Sequence, residues 1–306
     1  MTSQTFSVIP IDGDSRQQRI GLMAALGTVT IWSLYFMSLK VGALSALSSI
    51  DLALLRFAIP ALLLLSIFLR SWSLYKKTPW VYKLGIVFGG GLPFFMASAG
   101  AMKASGVLFG STLIPGVAPL FVTLIAITLF KQPLPKKRLV GLIAIGFGTI
   151  ALLAGAWIQG NGQVFRGALM FVGCAFSWSL FTISVRQSNL RPLQIAALAA
   201  VPNGVLITLY LLAFQPNLTL LSIPFNELLA QALVQGVLVG ICSGLFYSIA
   251  IGRLGAEKTA AIGSLTPIVS TLLAVIILQE ALELIPVLGL CLVATGVILA
   301  SRAQST

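Results

Sequence analysis

The 306-residue sequence contains no histidine, three cysteines and only seven acidic residues, and charged residues of both signs make up just 8% of it. Without histidine there is no imidazole metal ligand, no Ser-His-Asp chemistry and none of the usual proton shuttle. Cys174, Cys242 and Cys291 each lie inside an apolar block, with neither disulfide nor metal-ligand spacing, and read as small buried hydrophobes. A soluble domain is about 25% charged and about 45–50% apolar. This chain is 58% hydrophobic, with a mean hydropathy of +1.03. No soluble fold hides so much apolar surface, so the bilayer must be the solvent.

A spanning helix needs about 20 largely apolar residues, and a membrane β-barrel would show short alternating segments instead. The long apolar blocks here predict ten helices, near 18–39, 49–69, 80–102, 106–129, 138–158, 165–186, 192–213, 229–251, 258–279 and 284–302. The expected class is an all-α integral membrane protein. Its parts are an N-terminal tail (1–17), a first five-helix half (18–158), a second (159–303) and a short tail (304–306). The first apolar block is too long for a signal-peptide core and reads as a retained helix. No connection is large enough to hold a folded soluble domain or a nucleotide-binding loop.

The net charge of +12 suggests nucleic acid until its distribution is read. With the N-terminus inside, fifteen of the nineteen lysines and arginines fall in inner segments and three (Lys40, Lys103 and Arg166) in outer ones. Arg56 lies within a span. Under the positive-inside rule both termini face the cytoplasm and no nucleic-acid partner is expected.

The sequence also repeats itself. WSLYFMSLK (32–40) matches WSLFTISVR (178–186), pairing Trp32 with Trp178 and Ser33 with Ser179. Further on, Pro119 pairs with Pro267, Thr123 with Thr271, Gly141 with Gly289 and Gly148 with Gly296. Helices 3 and 8 share a ladder of small residues, Gly85 and Gly89 against Gly236 and Gly240. A repeat of five helices must cross the membrane in the opposite sense the second time. Inverted repeats of this kind mark secondary transporters, which hold substrate near mid-membrane between the halves.

On these features (the paired W-S motifs, prolines in helices 4 and 9, and the stretch GSLTPIVSTLLAVIILQEALELIPVLGLCLVATGVIL at 263–299) the chain resembles the EamA branch of the drug/metabolite transporter superfamily. Glu280 follows helix 9 as in that family, whereas the equivalent position of the first half is Gln132. The resemblance implies export of small metabolites, amino-acid exporters of the YddG type among the known cases. It says little about cargo, because members carry amino acids, sugars, nucleotide derivatives and drugs.

Candidate pathway residues are the polar and aromatic groups deep in the spans. Trp32, Ser33 and Tyr35, with Trp178, Ser179 and Phe181, would line a cavity or pack in the core. Phe94, Ser98, Ser111, Thr112, Ser243, Tyr247, Ser264 and Thr266 extend the set, though a spanning serine or threonine can instead bond its own helix. Together they describe a neutral pocket for zwitterionic or weakly polar ligands with an apolar body. Pro119 and Pro267 are candidate hinges, alongside Pro93, Pro115 and Pro202 within other spans. Trp72 and Trp80 read as interfacial anchors. Arg56 is the one charge well inside a span, roughly 10 Å deep by helix rise; it either serves the pathway or snorkels outward. Asp51, on another helix face, makes a poor partner for it.

No acid is expected at mid-span, so the expectation is a facilitative carrier working by alternating access. It would export neutral or zwitterionic metabolites, amino acids with aromatic or large apolar side chains included, across a bacterial inner membrane. Multidrug or other metabolite efflux with proton coupling is the alternative. An enzyme would need clustered intramembrane acids or metal ligands, and a channel sits poorly with the repeat. Neither cofactor nor metal is expected. The glycine ladders suit packing within a monomer, a dimer face being the other use.

Overall fold

A computed structural model describes residues 15–158 and 162–302. Most of the N-terminal tail, with Asp12 and Asp14, lies outside these residues, as do residues 303–306. The described residues form helices and no strands. Ten helices are long and apolar enough to span a bilayer: α1 (Ser15–Leu44), α2 (Ser49–Arg70), α3 (Trp80–Ala104), α4 (Val107–Thr128), α5 (Lys136–Ile158), α6 (Gly162–Ser188), α7 (Pro192–Phe214), α8 (Phe225–Leu254), α9 (Lys258–Leu278) and α10 (Leu284–Ser301). The protein is a multi-pass membrane protein, and the expected spans fall within a few residues of the observed ones. A short helix, Trp72–Lys77, joins α2 to α3. Trp72 and Trp80 are both exposed at that junction, as interfacial anchors require.

Helix boundaries follow local chemistry. The α2 start is a capping box: Ser48 Oγ accepts from Asp51 N (3.1 Å), and Asp51 Oδ2 accepts from Ser48 N (2.8 Å). Thr219, before α8, also donates to Asp51 through its hydroxyl (2.8 Å) and backbone N–H (3.1 Å). Asp51 is thereby committed to structure. The α4 and α9 ends match each other. Lys131 and Gln279 both adopt left-handed φ, 53° and 56°. The next backbone N–H then bonds six residues back in each case, Gln132 to Ala126 O (3.1 Å) and Glu280 to Ala274 O (3.2 Å). The two turns fall at positions that the sequence match pairs, 148 residues apart.

Packing follows the same exchange of halves. α2 packs on α7 and α5 on α10, while the contact of α1 with α8 has its counterpart in α6 with α3. Glycines let the α5 and α10 backbones touch: a Cβ on Gly141 would stand 2.7 Å from Gly296 O, and one on Gly296 2.7 Å from Gly141 O. Gly85 and Gly89 of α3 lie against α6, where a Cβ on Gly89 would meet Phe181 N at 2.7 Å. Gly236 and Gly240 of α8 lie against Ile59 and Pro60 of α2. These ladders serve contacts within the chain.

Two spans are broken. α3 is interrupted at Gly90–Gly91, between the segments Trp80–Gly89 and Leu92–Ala104. Asn203 of α7 satisfies the freed backbone, donating to Val87 O (2.7 Å) and accepting from Leu92 N (2.8 Å). α9 is interrupted at Ser264–Leu265, just before Pro267. Its counterpart α4 runs unbroken through Pro115 and Pro119. In α8, residues Ala232–Cys242 are wound as a π-helix, a form frequent at functional sites.

Candidate functional site

A cavity of about 340 Å³ lies among residues of α1–α6 and α8–α10. It extends to the end of the bundle that carries the described termini, where Arg138 of α5 and Ser301 of α10 line it. The opposite end is joined across. Lys40, in the last turns of α1, pairs with Glu280 after α9 (Nζ to Oε1, 3.2 Å) and donates to Ser105 O (3.1 Å). Glu280 Oε2 in turn accepts from Val107 N at the start of α4 (3.0 Å). A carboxylate there also suits the positive end of the helix dipole. Gly106 admits it, since a Cβ at that position would stand 2.9 Å from the same oxygen. One carboxylate thus ties together the ends of α1, α4 and α9.

Eight of the fourteen expected pocket residues line the cavity: Trp32, Tyr35, Phe94, Trp178, Ser243, Tyr247, Ser264 and Thr266. Both repeat-related prolines, Pro119 and Pro267, line it as well, and so does Arg56. The aromatic side chains form two groups. Trp178 stacks on Phe181 (centroids 4.8 Å apart) and meets Phe94 at 5.5 Å, while Trp32 meets Tyr247 at 5.3 Å. Phe181 therefore supports Trp178 from behind, and also fills the space that Gly90 leaves open. Two hydroxyls stand on the wall: Thr266 Oγ1 is buried with no hydrogen-bond partner, and Tyr35 Oη is buried beside the Ser98 hydroxyl. Ser243 and Ser264 bond carbonyls of their own helices.

The remaining expected residues do not line the cavity. Ser98 donates to Phe94 O (2.8 Å), one turn back on its own helix. Ser111 and Thr112 are fully buried between helices. Ser33 donates to Thr266 O of α9 (3.4 Å). Ser179 bonds Ala175 O of its own helix (2.6 Å) and reaches Ala118 O of α4 at 3.5 Å. The W-S motif therefore divides its labour: tryptophan turns to the cavity, and serine turns to the carbonyl just before a repeat-related proline.

The neutrality expected of the pocket does not hold throughout. Arg56 and Arg138 both line the cavity, and no aspartate or glutamate does so among the described residues. Arg56 does not snorkel outward. Its Nη1 donates to Gln235 O (3.4 Å), and a Cβ on Gly240 would stand 3.3 Å from it. Gly240 is at the midpoint of the thirty-residue α8. Sequence reading also passed over a buried polar group beside this arginine: Gln235 Nε2 donates to Ser38 Oγ (2.9 Å), Ser38 Oγ donates to Gln231 Oε1 (2.5 Å), and Gln231 Nε2 donates to Ser38 O (3.1 Å). An amide inside an apolar span was the available signal, for these glutamines and for Asn203 alike.

Residues 165–302 match the EamA-like transporter family. A protein of Methanothermobacter thermautotrophicus named "Uncharacterized transporter" is 28% identical over 195 residues, 61% of this chain; the match spans 54%, about half, of that relative's length. The "Probable amino-acid metabolite efflux pump" of Escherichia coli (strain K12) is 24% identical over 298 residues, 90% of this chain and 92% of the relative. A solved crystal structure superposes with a TM-score of 0.62 at 20% identity, over 94% of this chain and 99% of that one, and shares the fold.

Proposed function

We propose that this chain, whose residues 165–302 match the EamA-like transporter family, exports small neutral or zwitterionic metabolites, amino acids foremost, by alternating access through its central cavity. The observation that carries this reading is a mid-bundle cavity lined from both halves, by Trp32 and Trp178 and by Pro119 and Pro267. It extends to one end of the bundle and is tied shut at the other by Glu280. The charge bias of the loops supports a cytoplasmic extended end, and the membrane in this reading is a bacterial inner membrane. The efflux function named for the Escherichia coli relative supports the cargo class and the outward direction.

The paired helices α4 and α9 differ in one turn, and in this reading that difference marks where the halves rock against each other. α9 is broken before Pro267, whereas α4 is continuous through Pro119. Exchange of these two states between the repeats would close the cytoplasmic end and open the other. No carboxylate lines the cavity among the described residues, which supports transport without a proton site there. The carrier is therefore facilitative and moves cargo down its own gradient. The glycine ladders are used within the chain, which favours a monomer.

Purified protein in proteoliposomes, given labelled tryptophan, leucine and threonine with and without an imposed pH gradient, tests the reading. Saturable uptake indifferent to the gradient is expected. Uptake that follows the gradient would replace facilitation with proton coupling, and no uptake of any of the three would remove amino acids as cargo.

A further inference from the structure

We infer that Arg56 and the Tyr35 hydroxyl anchor a carboxylate of the cargo, so that a free carboxylate is required for transport and an ammonium group is not. This deepens the export reading above and rests on it for the cavity's role. Arg56 carries five N–H donors in a planar fork. On the protein it has one long hydrogen bond, to Gln235 O, and the Phe57 ring at 5.6 Å. Neither neutralises its charge. The ion pair found among the described residues, Lys40 with Glu280, is elsewhere.

A charge held in a spanning bundle without a counter-ion is costly, and a carboxylate entering the cavity supplies that counter-ion in the bidentate geometry guanidinium favours. Tyr35 adds a buried hydroxyl on the same wall, beside Ser98, that can turn toward the cavity. Gly240 gives the guanidinium room, since any side chain there would crowd Nη1. An incoming ammonium meets hydroxyls such as Thr266 Oγ1 but, among the described residues, no anionic partner. No aspartate or glutamate lines the cavity among the described residues, and Arg138 stands on its wall toward the termini. The remaining surface is mostly aromatic and apolar with a few hydroxyls (Ser243, Ser264 and Thr266), which suits the body of a carboxylate-bearing molecule. The cargo class is thus an apolar or aromatic carboxylate, with or without an amino group.

The test is competition against labelled phenylalanine uptake in proteoliposomes, together with thermal stabilisation of the purified chain, by four probes. These are phenylalanine, N-acetylphenylalanine, 3-phenylpropionate and phenylalanine amide. The three carboxylates are expected to compete and stabilise comparably, and the amide about tenfold more weakly or worse, as loss of a charge-assisted bond implies. R56Q should weaken the carboxylates by a similar factor without changing the amide, and R56K should restore part of the loss.

Equal competition by the amide overturns the anchor and leaves amino-acid export standing. Transport of 3-phenylpropionate without transport of phenylalanine does the reverse. If no carboxylate binds or moves, both fall. Should R56Q fail to fold, the wild-type probe series and Y35F decide the matter alone.

Discussion

Ser33 Oγ donates to the backbone oxygen of Thr266, the residue immediately before Pro267, across 3.4 Å. In the other half the equivalent Ser179 holds mainly to its own helix and reaches Ala118 O, before Pro119, only at 3.5 Å. Both serines thus reach, at similar distances, the carbonyl before one of the paired prolines; α9 has a turn at Ser264–Leu265 just before that carbonyl, while α4 runs on as a continuous helix.

Ser33→Ala and Ser179→Ala are therefore expected to lower the maximal transport rate and leave KM near the wild-type value, because neither residue touches the cavity. Each costs no more than about 1 kcal/mol of stability, the net value of one ordinary hydrogen bond. Trp32→Ala, by contrast, removes a cavity wall and its contact with Tyr247, and should raise KM for aromatic cargo. Initial-rate uptake over a range of substrate concentrations separates the two patterns; a KM effect from Ser33→Ala would return that serine to the binding site.

The α5–α10 contact makes a stability prediction with an internal control. A Cβ on Gly148 would lie 2.8 Å from Gly289 O, and one on Gly289 2.9 Å from Gly148 O, so either alanine forces two backbones apart. Gly148→Ala and Gly289→Ala should each destabilise by about 1–3 kcal/mol, the usual cost of overpacking. Gly146→Ala, on the same helix with nothing within 4 Å of its Cβ position, should be neutral or slightly stabilising. Thermal denaturation followed by size-exclusion of the surviving fraction reads the difference.

The ten spans were legible because long apolar blocks carry a strong signal. The side chains facing the cavity were harder to assign. α1 and α6 are apolar around most of their circumference, so the helical period does not mark one face. A spanning serine also has two uses that leave no trace in sequence. Ser98 bonds its own turn, Ser33 bonds a helix 233 residues away, and both look like pocket hydroxyls when read alone. Tryptophan is less ambiguous, since a ring so large and so deep needs either a cavity or a partner, and Trp178 has both. Asn203, Gln231 and Gln235 went unread because their partners come from other helices. Only the folded chain shows that Asn203 replaces the backbone bonds α3 loses at Gly90–Gly91.

That replacement is testable. Asn203→Ala leaves Val87 O and Leu92 N buried without their partner, at an expected cost of about 1–3 kcal/mol. Asn203→Leu should cost as much or more, since bulk cannot satisfy either group. Hydrogen exchange at residues 88–92 should rise in both variants, with exchange in α5 and α10 unchanged. Unaltered exchange at the break would mean that the interruption of α3 is satisfied without α7.

The tie at the end opposite the termini sets a last expectation. Glu280 joins Lys40 of α1 and the first N–H of α4, and its side chain is only 18% exposed. Its charge is therefore only partly screened by water, and removing it should weaken closure of that end. The described form of the bundle, with the cavity extending to the termini, would then lose population to forms open the other way. With Cys174, Cys242 and Cys291 replaced by alanine, a cysteine at Phe36, on the cavity wall of α1, would report this. A membrane-impermeant thiol reagent added outside should label it several-fold faster in Glu280→Gln than in the parent, and Lys40→Met should do the same. Charge reversal at both positions, Lys40→Glu with Glu280→Lys, should restore only part of the protection. It rebuilds the ion pair but places a cation at the positive end of α4, where the wild-type carboxylate accepts the Val107 N–H. Labelling that stays slow in every variant would show that the helices close this end without the ion pair.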